Sequence, residues 1–155
     1  MKKKLWYLLL GMVALGFYLL PSPGQDATGI QPVEVVCLTK EGEKVQILTD
    51  TGAAAGGDTL QDALKQLRAE ASGEIFLNTA DYLLIGENCE DLLSEAMDLL
   101  RPSCAVCRFR GELQLEQVGR FLRQHRPSLT LARYRAGVRG FSLLTTEGGR
   151  MCLVS

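Results

Sequence analysis

The feature that most constrains this chain is a repeated switch of hydrophobic period. Short runs that read as strands alternate with stretches whose apolar residues recur at helical spacing. In TLQDALKQLRAEAS, Leu60, Ala63, Leu64, Leu67 and Ala71 fall at i, i+3, i+4, i+7 and i+11 and make one apolar helix face. Before it, Val33–Leu38 and Lys44–Leu48 read as a strand pair turned at Glu41-Gly42. After it, IFLNTADYLLIGE carries strand material that is strongest from Tyr82 to Ile85. NCEDLLSEAMDLLRP is a second helix, expected to be capped by Asn88, stopped by Pro102 and buried through Leu92, Leu93, Ala96, Met97 and Leu100. CAVCRFRG alternates as a strand, and LQLEQVGRFLRQH is a third helix with Leu115, Val118 and Leu122 on one side. SLTLARYR, GFSLLTTE and MCLVS read as closing strands, the last two joined at Glu147-Gly148-Gly149. The fold class is therefore α/β (mixed α+β). A β-β-α-β-α-β core forms a mixed sheet covered by helices, and one helix and closing strands follow.

The stretch Gly52–Thr59, GAAAGGDT, has the frame of a phosphate-binding loop, G-x-x-x-x-G-K-[ST], with Asp58 at the Lys position. A carboxylate there has the wrong sign for a phosphate and already occupies the positive end of the helix dipole. The expected role is structural: Gly56-Gly57 permits a close approach, and Asp58-Thr59 caps the helix.

The first residues set the compartment. Three Lys precede an uncharged run of 16 positions, Leu5–Leu20, and PSPG follows. That layout predicts an N-terminal membrane anchor or signal segment over 1–20. No small-residue cleavage pattern follows the run, which favours an uncleaved anchor with its Lys on the cytoplasmic side. Residues 21–32 read as a linker, and 33–155 as a single extracytoplasmic domain. The expected location is a membrane, with the domain on its extracytoplasmic side. Charge is asymmetric: between Gly24 and Leu100 four Lys and Arg face fifteen carboxylates, whereas from Arg101 onward ten Arg face three. Either the halves neutralise each other, or the Arg side meets anionic lipid or an acidic partner.

No catalytic set emerges. The five cysteines are Cys37, Cys89, Cys104, Cys107 and Cys152, an odd number. Cys104 and Cys107 form C-x-x-C on a predicted strand, where positions i and i+3 face opposite ways. Zinc would need two further ligands, and the sole His is His125, read as a helix-end cap. Cys89, near a helix start, is a second thiol candidate. Asp81 and Glu87 show no partner in the sequence. Arg108 and Arg110 share one strand face and are the candidate partner-contacting pair. No catalytic residue, cofactor, metal, nucleic acid or small-molecule substrate is expected.

The stretch GGDTLQDALKQLRAEASGEIFLNTADYLLIGENCEDLLSEAMDLL resembles the N-terminal domain of the Ger(x)C family, the C subunit of bacterial spore germinant receptors. Gly57, Thr59, Leu60, Ala63 and Leu64 match its helix start. Leu84, Ile85, Gly86 and Glu87 match its strand end, and Leu99, Leu100 and Arg101 its helix end. VRGFSLLTTEGGRMCLVS is weakly similar to a later segment through Gly140, Leu143, Arg150 and Val154-Ser155. Family members are lipoproteins with further domains; this sequence has neither the lipid-accepting Cys nor those domains. The resemblance implies a non-catalytic, membrane-anchored protein acting through protein–protein contacts in germination or sporulation, with membrane-embedded receptor subunits as partners. The alternative is an extracytoplasmic thiol-redox protein using Cys104/Cys107 or Cys89.

Overall fold

The computed structural model describes residues 30–71 and 73–154. The anchor expected over 1–20 and the linker up to residue 29 lie outside the described residues. Among the described residues no helix is long and apolar enough to cross a membrane.

Three strands are apolar on both faces and set the architecture. These are β2 (Val35–Glu41), β6 (Tyr82–Ile85) and β7 (Ala105–Phe109). All four residues of β6 are buried, as are Val35–Leu38 and Ala105–Cys107. Such strands need cover on both sides, which is the habit of parallel sheets. β2, β6 and β7 are indeed parallel, and β8 (Ser142–Glu147) joins them in the same sense. Antiparallel strands close the seven-stranded sheet: β3 (Lys44–Thr49) and β4 (Ala54–Gly57) at one side, and β9 (Arg150–Val154) at the other. The order is β4-β3-β2-β6-β7-β8-β9. A separate two-stranded parallel pair joins β1 (Ile30–Pro32) to β5 (Glu74–Phe76).

Helices cover both faces. On one lie α1 (Leu60–Glu70) and α2 (Leu93–Leu99), whose Leu60, Ala63, Leu64, Leu67, Leu93 and Ala96 pack with Val36, Leu38, Leu83, Ile85 and Val106. On the other lies α3 (Leu115–Gln124), where Val118 and Leu122 meet Val35, Cys37, Leu84 and Cys107. The mixed sheet with helical cover is the class read from the sequence.

Four local expectations change. The linker's last three residues, Ile30–Pro32, are strand β1. The stretch read as a loop frame contains a strand: Ala54–Gly57 pairs along β3 at the sheet edge. Asn88 does not cap a helix. It takes the left-handed conformation (φ 63°), which Asn tolerates, and turns the chain out of β6 into a 3-10 turn at Glu90–Leu92 that leads into α2. SLTLARYR is not a strand. Its start makes one bridge, Thr130 to Ala105, with Val106 N–H donating to Leu129 O at 2.8 Å. Further pairing is blocked because β8 occupies β7 from Cys107 to Phe109. The chain therefore turns into α4 (Leu131–Arg135), whose cap Thr130 accepts from Arg133 N–H at 3.3 Å.

The Gly57 expectation holds with a measurable margin. A Cβ on Gly57 would sit 2.5 Å from the Ala63 nitrogen, whereas on Gly56 the nearest atom would be 3.7 Å away. Thr59 then caps α1, its hydroxyl accepting from Asp62 N–H at 3.1 Å and donating to Asp62 Oδ2 at 2.7 Å. We expect Gly57→Ala to cost about 1–3 kcal/mol through overpacking against backbone that cannot yield. Gly56→Ala should stay within about 0.5 kcal/mol. Urea unfolding of the two variants checks this.

Candidate functional site

Consecutive connections leave the sheet in opposite directions. From β6 the chain runs to α2 on one face, and from β7 to α3 on the other. Where neighbouring strands diverge in this way, a crevice opens at their carboxyl ends, the usual place for a site in such sheets. A cavity of about 590 Å³ lies there, lined by residues 87–91 except Cys89, by Arg108, Phe109 and Arg110, and by Phe141 and Leu143.

Its wall is built by the loop after β6. Gly86 N–H still donates to Leu38 O at 2.8 Å, so the loop starts locked to β2. Asn88 reverses it, and Cys89 drops wholly into the core, its Sγ donating to Glu87 O at 3.5 Å. Three carboxylates are left pointing outward, and each takes a cation from a neighbouring strand or its end. Lys40 Nζ meets Asp91 Oδ2 at 2.6 Å, Arg110 Nε meets Glu87 Oε1 at 2.7 Å, and Arg108 pairs with Glu90. The Arg108 guanidinium also lies 5.0 Å from the centroid of the Phe141 ring, a cation–π distance. A second opening of about 490 Å³, lined by Thr39, Lys40 and Gly111 among others, shares Glu87, Phe109 and Arg110 with the first. The Glu87–Arg110 pair thus stands between two concavities. The site offers half-buried Phe109, Phe141 and Leu143 inside a rim of paired charges.

The structure brings Arg108 and Arg110 together, as the shared strand face implied, and it supplies partners that the sequence did not reveal. Asp81 and Glu87, which looked isolated, are paired with Arg101 and Arg110. Lys40, Glu90, Asp91 and Phe141 were not singled out by sequence reasoning. Lys40 lies near the end of β2, Glu90 and Asp91 in the turn after β6, and Phe141 just before β8, so no shared local pattern marked them. His125 ends α3 as expected; its N–H bonds Phe121 O at 3.0 Å and its ring stacks on Phe121 at 4.4 Å.

All five thiols are free, and the sheet divides the C-x-x-C pair. Cys104 packs in the core beneath α1 and α2, and Cys107 in the core beneath α3, on opposite faces of the sheet. Burial pushes the Cys37, Cys104 and Cys107 thiols up to about 12, and burial also raises Cys89. Cys152 alone is partly exposed. None of the four buried sulfurs has the electropositive, accessible setting that makes a thiolate nucleophilic.

No family model matches the chain, and no curated protein or solved structure matches it.

Two outcomes follow from this geometry. Alkylation of the native protein near pH 8 should label Cys152 alone, and all five cysteines only after unfolding; mass spectrometry counts them. The second concerns Asp91, whose carboxyl the Lys40 hydrogen bond holds below the usual carboxylate range. A depressed acid stabilises the fold at pH values above its unfolded pKa, and this contribution fades as pH falls through the folded value. Asp91→Asn should therefore cost up to about 1 kcal/mol near pH 6, this pair being largely solvent-exposed, and progressively less as pH falls below the ordinary carboxylate range. Chemical denaturation across this pH range measures the difference.

Proposed function

We propose that this domain is a non-catalytic, membrane-anchored extracytoplasmic module that binds protein partners at the crevice, in the manner of a germinant-receptor C subunit, during germination or sporulation. The observation that carries the interaction reading is the composition of the crevice. Phe109, Phe141 and Leu143 form apolar ground, and Arg108 and Arg110 rim it. Aromatic and Arg side chains are the types that dominate protein interfaces, especially where an apolar centre is ringed by polar groups. Every carboxylate of the crevice is engaged by a cation, which suits a surface built for shape and complementarity and leaves no free base beside a nucleophile.

The residues that resemble the Ger(x)C family have definite work in this fold, which favours the resemblance. Gly57 allows the strand–helix contact, Thr59 caps α1, and Leu60, Ala63 and Leu64 are core. Leu84 and Ile85 fill the central strand, Glu87 holds Arg110, and Arg101 Nε donates to Ala80 O at 3.0 Å. Arg101 therefore joins the end of α2 to the start of β6.

The test is a deletion strain of the source organism. Spore yield should be normal, and nutrient-triggered loss of optical density should be slow or absent. Unchanged germination, or an organism that forms no spores, would sink the germination role. Complementation then probes the crevice. An Arg108→Ala/Arg110→Ala double variant should lose no more than about 2 kcal/mol of stability, since exposed ion pairs contribute little each. It should nevertheless fail to restore germination; full rescue removes these two residues from the contact.

A further inference from the structure

A second surface lies at the opposite pole of the sheet, where the parallel strands begin. Here Arg123 Nη1 sits 2.9 Å from both carboxylate oxygens of Glu34, the residue leading into β2. Arg126 Nη2 donates to Ser103 O, just before β7, at 3.3 Å, and Arg133 Nη1 donates to Ser128 O at 2.7 Å. The end of α3 and the start of α4 therefore converge at this pole. Residues 117–146 hold six Arg and no Asp or Glu. Two of the six, Arg123 and Arg135, meet a carboxylate. Arg120, Arg126 and Arg133 are exposed, and none of them forms an ion pair among the described residues. Of the carboxylates nearby, Glu34, Asp81 and Asp98 are used by Arg123, Arg101 and Arg135, whereas Glu116, one turn before Arg120 on α3, and Glu74, beside Ile30 of β1, form no ion pair among the described residues.

The same pole receives the chain's N-terminal segment. Strand β1 ends at Pro32, two residues before Glu34, and Val33 is fixed there by Thr79, whose hydroxyl accepts from Val33 N–H at 3.2 Å. Only residues 21–29 separate β1 from the apolar run Leu5–Leu20. Nine residues reach at most about 30 Å. With that run in a bilayer, this pole stands within about 30 Å of the headgroups.

We infer that this pole, where α3 ends and α4 begins, rests through Arg120, Arg126 and Arg133 on the anionic headgroups of the membrane that anchors the chain. This rests on the anchored reading above and adds the orientation of the domain to it. Arg is suited to the contact because its planar guanidinium engages phosphate oxygens in pairs. Arg126 and Arg133 already spend one N–H each on a backbone carbonyl, which holds the guanidinium heads in place while further N–H groups remain for lipid. Each basic residue near an anionic surface is worth about fivefold in affinity, so three together give on the order of 100-fold.

The full chain is reconstituted into nanodiscs of phosphatidylcholine alone or with a third phosphatidylglycerol, and amide hydrogen exchange is followed over residues 117–135. With phosphatidylglycerol, exchange in this segment should slow at least fivefold relative to phosphatidylcholine, and salt near 1 M should abolish the difference by screening. Arg120→Gln/Arg126→Gln/Arg133→Gln should lose the protection, and the corresponding triple Lys variant, which keeps the charges, should retain most of it. Equal exchange in the two lipids with the chain inserted overturns the headgroup contact and leaves the anchored reading standing. A chain that does not enter the discs overturns both. Slowing in phosphatidylglycerol that the Gln variant keeps shows that these arginines are not its cause and also overturns the inference.

Discussion

The structure depends on three strands that are apolar on both sides. Tyr82–Ile85 offers no polar face to water, and Val35–Leu38 and Ala105–Cys107 offer none either. A sheet with such a centre is stable only between two layers of helix. That single requirement explains why α1 and α2 lie on one face and α3 on the other. It also explains why polar residues gather at the two ends of the strands, since the faces are closed to them. The antiparallel strands at each side are the places where the sheet relaxes this demand: β9 and the outer half of β8 are only partly covered, with Val154 55% exposed.

The division of helices between faces also creates the crevice. A loop that leaves β6 towards one face and a loop that leaves β7 towards the other cannot fill the space between them. The β6 loop is held open by Lys40, Arg108 and Arg110, one cation for each of its carboxylates, and by Cys89, which anchors it from beneath. Each exposed pair contributes little alone. Three on one five-residue loop, with a buried side chain beneath, restrain its backbone more than their separate energies suggest, because ordering the loop once serves all three.

What the sequence made legible follows the physics of each feature. The helix over Leu60–Glu70 was readable because a buried face of Leu and Ala must repeat at helical spacing. The opposed directions of Cys104 and Cys107 were readable because strand geometry is strictly alternating. Thr59 and Gly57 were readable because caps and close approaches demand particular residue types. SLTLARYR failed for the opposite reason. Its Leu129 and Leu131 alternate as in a strand, but which segment pairs with the edge of β7 is a competition with β8, decided by tertiary contact. Asn88 failed because the same residue type serves helix caps and left-handed turns, and only the chain's path distinguishes them. The crevice was half legible. Arg108 and Arg110 stood out by their shared face, whereas Glu87, Glu90 and Lys40 come from loops and strand ends distant in sequence, and no local pattern links them.

The charge asymmetry along the chain is used, in part, inside the fold. Five of the seven ion pairs among the described residues join an Arg after residue 100 to a carboxylate before it: Arg101–Asp81, Arg108–Glu90, Arg110–Glu87, Arg123–Glu34 and Arg135–Asp98. These fasten the basic half to the acidic half, so the opposite charges do act as a seam. The seam consumes only half of the ten Arg. Among the described residues Arg120, Arg126 and Arg133 form no ion pair, and neither do Glu70, Glu74, Glu112 and Glu116. Residues 33–155 hold 14 Lys and Arg against 17 Asp and Glu, a net of 14 − 17 = −3, so any attraction these arginines exert on an anion is a local field and not a property of the total charge. Screening limits that field to about 10 Å at 0.1 M salt, so a free domain in solution would scarcely feel it.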